Sequence, residues 1–148
     1  MGSSDDMIRE RLRWLRSEVA YLKSERDKIR SFQVYVQDAR LKRAVERSLQ
    51  VAIEACLDIG RRLIAREGFR YPEDNADVFR VLAEHGIVPA DLLPRLIDMA
   101  RFRNVIVHDY VRVDDAIVYG ILKKHLGDFE AFARAVTAYL RRSRASSP

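Results

Sequence analysis

The chain has a single cysteine, four prolines and six glycines in 148 residues. Nowhere does an apolar run approach the roughly 20 residues that a membrane span needs. One cysteine excludes an internal disulfide, and Cys56, set among apolar neighbours, reads as a small core residue in a reducing cytoplasm. So little glycine and proline excludes a loop-rich or low-complexity chain, and no internal repeat is present. No stretch of useful length alternates apolar and polar residues with period two, so no sheet is expected. No basic-then-apolar leader opens the chain, so export by that route is not expected. His85, His108, His125 and Cys56 lack the spacing of zinc ligands, and there is neither a phosphate loop nor a dinucleotide fingerprint. No metal and no cofactor is therefore expected.

What is there is apolar and charged in helical proportion: 48 % hydrophobic and 33 % charged residues, in a length that suits one domain with one core. Lys and Arg number 27 against 22 Asp and Glu, a net charge of +5, and arginine far outnumbers lysine. Arginine's planar fork matches phosphate oxygens, so a polyanionic partner is one reading. Solvated outer helix faces account for the same charge equally well.

Apolar residues recur at helical steps. From Ile8, the series Leu12, Leu15, Val19 and Leu22 predicts an amphipathic first helix. Val45, Leu49, Ala52, Cys56, Ile59 and Leu63 predict a longer one, within a stretch free of glycine and proline from about Gln33 to Gly60, as the spine of the core. Gly68 and Pro72 mark a turn, after which Asp74 or Asn75 can cap a short helix to about Glu84. Gly86 ends that helix, and Pro89, Asp91 and Pro94 lead into LLPRLIDMARFRNVIV. Asp114 can cap a further helix, which Gly127 separates from a last one through Phe129, Phe132, Val136 and Leu140. The expectation is an all-α, single-domain bundle of five or six helices over residues 7–142. Residues 1–6 are expected to be disordered or added by cloning, and residues 143–148 to form a frayed tail.

The segment RNVIVHDY, residues 103–110, carries the densest chemistry. Met99 and Leu96 below Arg103, and Ile106 and Val107 above it, place that arginine in an apolar stripe. A buried, unpaired guanidinium costs several kcal/mol, so Arg103 must meet a carboxylate, a partner surface or a ligand anion. Glu54 and Asp58, four apart on the long helix, are candidate structural partners. His108 lies five positions on, a rotation of about 500° that leaves it about 140° from Arg103 on a regular helix. Asn104 and His108 share a face. For Arg103, Asn104 and His108 to act on one group, either the helix loosens before His108 or two copies of the motif meet across a two-fold axis.

Arg103-Asn104-x-x-x-His108 resembles the R-x-x-x-x-H signature of HEPN-domain ribonucleases, and its extension to Tyr110 resembles the HepT toxins. SLQVAIEACLDIG from Ser48, GIVPADLL from Gly86 and MARFRNVIVHDY from Met99 are similar to that family in the same order. The resemblance implies a cytoplasmic toxin subunit that pairs as a two-fold homodimer and cuts RNA without a metal. It implies that Arg103 clamps the scissile phosphate, that Asn104 positions the phosphate or the histidine, and that His108 serves as acid or base. Residue chemistry agrees: an imidazole titrates near neutrality and can take a proton from a ribose 2′-hydroxyl or give one to the leaving 5′-oxygen. Products would end in a 2′,3′-cyclic phosphate. Tyr110 resembles the residue to which a partner minimal nucleotidyltransferase, the antitoxin, adds AMP groups.

Two other readings stand beside this one. GSSDD, residues 2–6, has the Gly-Ser and acidic elements of a nucleotidyltransferase, yet lacks the preceding strand and the spaced acidic pair that would hold magnesium. The serious rival is a non-catalytic helical module that binds RNA or protein, with Arg103 a structural buried charge. No base-reading aromatic platform is evident in the sequence, so the RNA it would cut stays open.

Overall fold

The computed structural model describes residues 2–145, with side chains described over 4–144. Among these residues there are seven α-helices, one short 3-10 turn and no strand. The helices are α1 (Gly2–Lys28), α2 (Phe32–Gln37), α3 (Ala39–Glu67), α4 (Asn75–Glu84), α5 (Leu93–His108), α6 (Asp115–Lys124) and α7 (Leu126–Ala145), with the turn at Tyr110–Arg112. An all-helical bundle was the expectation; two connections differ from it, one a cap that divides the expected long helix and so makes a seventh, the other falling earlier than expected.

The first of these is at Asp38. The glycine- and proline-free stretch reads as one helix, but Asp38 adopts an extended backbone and its carboxylate accepts the Leu41 amide at 3.0 Å. An aspartate that satisfies the next helix's open amide competes with helix continuation, and so divides α2 from α3. At the other end α3 runs through Gly60 to Glu67, where Gly68 at φ 69° closes it. Gly60 is not a stop signal but a point of close approach: a Cβ there would lie 2.6 Å from Val78 Cγ1 on α4. The second is His125, which ends α6 two residues before the Gly127 expected to do so.

Helix α3 is the spine. Val45, Leu49, Ala52, Cys56, Ile59 and Leu63 are all buried, as are Ile8, Leu12, Leu15, Val19 and Leu22 of α1, which packs along it. Helices α4, α5 and α7 cover its remaining apolar surface. Asp74 and Asp114 cap α4 and α6 with their side chains as their positions suggest, while α5 starts without a side-chain cap and with proline in its first turn.

Helix α1 begins at Gly2 rather than near Ile8, and Asp5 contacts Arg66 of α3. Residues 2–6, expected to be disordered or added by cloning, are helical in this fold. At the other terminus α7 continues through residues 143–145, and 146–148 lie outside the described residues. None of the described helices is long and apolar enough to cross a membrane.

Candidate active site

Helix α5 presents the RNVIVH segment because one of its faces is apolar. Leu96, Met99, Ala100 and Ile106 are buried in the core, which fixes the rotation of the helix and turns its remaining positions toward α3, α4 and solvent. The helix stays regular up to His108, whose successor Asp109 still donates its amide to the Val105 carbonyl at 2.9 Å. It does not loosen before the histidine. Within one chain, therefore, Arg103 and His108 point about 140° apart.

Arg103 is only 22 % exposed at its side chain and meets Glu54 of α3: Nε donates to Oε2 at 3.1 Å, and Nη2 lies 3.0 Å from the same oxygen in an ion pair. Of the two carboxylates expected as candidates, Glu54 is the partner. Asp58 is taken by Arg11 at 3.0 Å and Arg62 at 2.8 Å. The other edge of the guanidinium faces Asn104, whose Oδ1 accepts from Arg103 Nη1 at 3.4 Å and from Asn75 Nδ2 at 3.1 Å. Asn75 in turn accepts from Arg61 at 2.7 Å. The guanidinium and the Asn104 amide are thereby held in one relay running from α3 through α5 to α4.

Glu54 engages one edge of a five-donor fork, so N–H groups of Nη1 and Nη2 remain for a second anion. Solvent-accessible ion pairs of this kind contribute only about 0.2–1 kcal/mol. Glu54 therefore orients Arg103 without saturating it.

His108 is the last residue of α5 and is exposed to solvent. Asp109 pairs with Arg112 at 3.2 Å across the turn. The other two histidines are engaged in packing and pairing: His85 stacks on Phe69 with ring centroids 3.5 Å apart, and His125 lies 3.7 Å from Asp128. Among the described residues no group of three or more His, Cys, Asp and Glu is placed to hold a metal ion.

Tyr110 follows on the 3-10 turn and is 55 % exposed, yet its hydroxyl is fixed, donating to Glu46 Oε1 at 2.7 Å. Glu46 is itself 5 % exposed. This hydrogen bond raises the tyrosine's pKa, because losing the proton would set phenolate against carboxylate; partial burial adds to the effect. Arg43, Arg47, Gln50 and Ile106 complete a cavity of about 170 Å³ around the ring.

Glu46 and Glu54 explain how α3 organises the site, and Glu46 was not foreseen. With Gln50, which donates to Glu54 at 3.3 Å, they stand at steps of four on one helix face, beside the apolar stripe rather than in it. That spacing is legible in the sequence. Its meaning is not, until α5 is known to lie along this face. Arg61 and Arg47 carried no sequence signal beyond polarity, and Asn75 stood out only as a possible helix cap.

An oriented guanidinium and an amide are groups that can hold a phosphate, and an imidazole is one that can exchange protons; the class they define is an all-helical bundle that gathers such groups on one helix. The profile of the family described as Ribonuclease HepT-like matches residues 11–136, and the chain belongs to that family of ribonucleases. It is 33 % identical to the mRNA nuclease HepT of Shewanella oneidensis over 70 % of its own length and 78 % of that protein. It is 24 % identical to the tRNA nuclease HepT of Aphanizomenon flos-aquae over 64 % of its length and 65 % of that protein. Among solved structures it resembles the tri-AMPylated Shewanella oneidensis HEPN toxin in complex with its MNT antitoxin, at 27 % identity and a TM-score of 0.81, covering 90 % of this chain and 98 % of that one.

Proposed function

We propose that this chain is the metal-independent endoribonuclease toxin of a HEPN and nucleotidyltransferase toxin–antitoxin pair, acting in the cytoplasm as a two-fold homodimer. The observation that carries the reading is the relay Glu54–Arg103–Asn104, which holds a phosphate-competent guanidinium about one and a half turns of α5 before a solvent-facing His108. Arg103 clamps the scissile phosphate and stabilises the charge that gathers on its oxygens as the ribose 2′-hydroxyl attacks phosphorus. Asn104 positions the phosphate. His108 takes the 2′-proton or returns one to the departing 5′-oxygen. Because α5 stays regular, the Arg103 of one protomer meets a second motif only if two copies face each other across a two-fold axis, which also supplies the second imidazole.

Tyr110 is the regulatory residue in this reading. AMP groups added to its hydroxyl by the antitoxin place bulk and negative charge on the same surface as Arg103 and repel RNA. Support comes from the tri-AMPylated HEPN toxin structure that the chain resembles and from the half-exposed position of Tyr110 itself.

The test is cleavage of mixed single-stranded RNA in EDTA by the purified chain, beside Arg103→Ala and His108→Ala variants of unchanged melting temperature. Wild-type cleavage to 2′,3′-cyclic phosphate ends, lost in both variants, is the expected result. Equal cleavage by all three overturns the assignment. Co-expression with a neighbouring nucleotidyltransferase should add multiples of the AMP mass to the Tyr110 peptide; neutralisation with an unmodified peptide would mean inhibition by binding alone.

The Arg103–Glu54 contact also favours a second reading, in which Arg103 is a structural charge in a non-catalytic helical module that binds RNA or protein. Arg103→Lys separates the two. It keeps the charge and the ion pair but loses the fork, so a structural arginine tolerates it and a phosphate clamp does not.

A further inference from the structure

Trp14 is the chain's only tryptophan, and it is 49 % exposed although its α1 neighbours Leu12 and Leu15 are fully buried. A half-exposed indole offers a large flat face on which a planar partner can stack. One face of the ring already has a cation: the Arg11 guanidinium lies 5.4 Å from its centroid. Arg11 is in turn held by Asp58 of α3, so the pair is fixed rather than free to collapse.

Trp14 and Arg11 line a groove of about 160 Å³ between α1 and α3, together with Arg47 and Glu54. Two of these residues join the groove to the candidate active site. Arg47 also lines the cavity around Tyr110, and Glu54 is the carboxylate that orients Arg103. The groove and the catalytic surface are therefore one tract crossing α3. Its three acids are each engaged: Glu54 by Arg103, Asp58 by Arg11 and Arg62, and Glu46 by the Tyr110 hydroxyl. Arg43 and Arg47 are exposed and pair with no carboxylate among the described residues, and Arg47 lines both the groove and the tyrosine cavity.

We propose that Trp14 is a stacking platform for an unpaired base of the RNA substrate, a base flanking the phosphate held by Arg103, with Arg47 pairing the backbone phosphate between them. The proposal rests on the ribonuclease reading above. An indole stacks on any base, and an adjacent guanidinium strengthens the stack, so such a platform selects single-stranded over paired RNA with little sequence preference. A second copy of this chain is the rival occupant, but the exposed Arg43 and Arg47, which pair with no carboxylate among the described residues, suit a polyanion better than a like-charged protomer.

A single tryptophan makes the test direct. The protein is titrated with a short 2′-O-methylated single-stranded oligonucleotide, which it cannot cleave, following tryptophan fluorescence and the anisotropy of a labelled strand. The proposal expects quenching that saturates with binding, affinity about ten-fold weaker in Trp14→Ala, near-full affinity in Trp14→Phe, and a salt dependence reduced by about one ion in Arg47→Ala. Binding by the wild type without quenching, and with equal affinity in Trp14→Ala, overturns the platform and leaves the ribonuclease reading standing. No binding of the oligonucleotide together with no cleavage of ordinary RNA takes down both. A fall in solution mass on Trp14→Ala, measured by light scattering, assigns the indole to a subunit interface and also overturns the proposal; Trp14→Phe at unchanged melting temperature guards against misfolding in either arm.

Discussion

Removing Glu54 tests whether α3 aims Arg103 or merely neutralises it. Glu54 accepts the Arg103 Nε–H at 3.1 Å and lies 3.0 Å from Nη2 through the same oxygen, with its own side chain 35 % exposed. An ion pair so accessible is worth about 0.2–1 kcal/mol, and for a domain of this size that is a melting-temperature loss of up to about 4 °C. Catalysis should suffer far more than folding. Without the carboxylate the guanidinium keeps only its 3.4 Å contact to Asn104, and a displacement of about 1 Å at a phosphate clamp can cost 10²-fold. Glu54→Ala should therefore keep its fold and lose about 10- to 100-fold in kcat/KM on single-stranded RNA, with Glu54→Gln, which retains a neutral acceptor, between it and the wild type. The assay is initial-rate cleavage of a fluorogenic oligonucleotide beside a thermal melt of each variant. Tighter RNA binding with faster cleavage in Glu54→Ala would refute the reasoning, because it would show Glu54 competing with phosphate for Arg103 instead of orienting it.

Three further outcomes follow from other contacts. Tyr110→Phe leaves Glu46, 5 % exposed, without its hydroxyl donor and should cost about 1–3 kcal/mol in urea unfolding; a cost below about 0.5 kcal/mol would show that water replaces the phenol. Asp77 receives two Arg70 N–H groups at 2.8 and 2.9 Å and the Glu73 amide, which hold its carboxyl at about 2. Since that lies below the ordinary aspartate value of about 4, its stabilisation is complete above about pH 4 and is lost as pH falls through about 2. Asp77→Asn should melt lower at neutral pH and show a flatter dependence between pH 4 and 2, and an unchanged slope would refute the assignment. Gly60→Ala puts a methyl 2.6 Å from Val78 Cγ1 and 3.2 Å from Leu82 Cδ1. A helical valine has one favoured rotamer and cannot swing aside, so a net loss of about 1–3 kcal/mol should outweigh alanine's helical preference, and an unchanged melt would contradict so close an α3–α4 approach.

The sequence by itself determined the class of fold, the core and the segment that matters. Helical period is a local property written into residue order, so Leu49, Cys56 and Leu63 declare their burial without any knowledge of neighbours. The Arg103 to Tyr110 segment is likewise local and legible, and Glu54 could be named as a partner because a guanidinium in an apolar stripe requires an anion. What only the tertiary structure decided are the pairings across helices. Which of Glu54 and Asp58 meets Arg103, that Glu46 holds Tyr110, and that Arg47 links the Trp14 groove to the tyrosine cavity depend on how α1 and α5 rotate and slide against α3. Those offsets are set by the packing of many side chains at once, through close approaches such as Gly60 against Val78, and no single stretch of chain carries them.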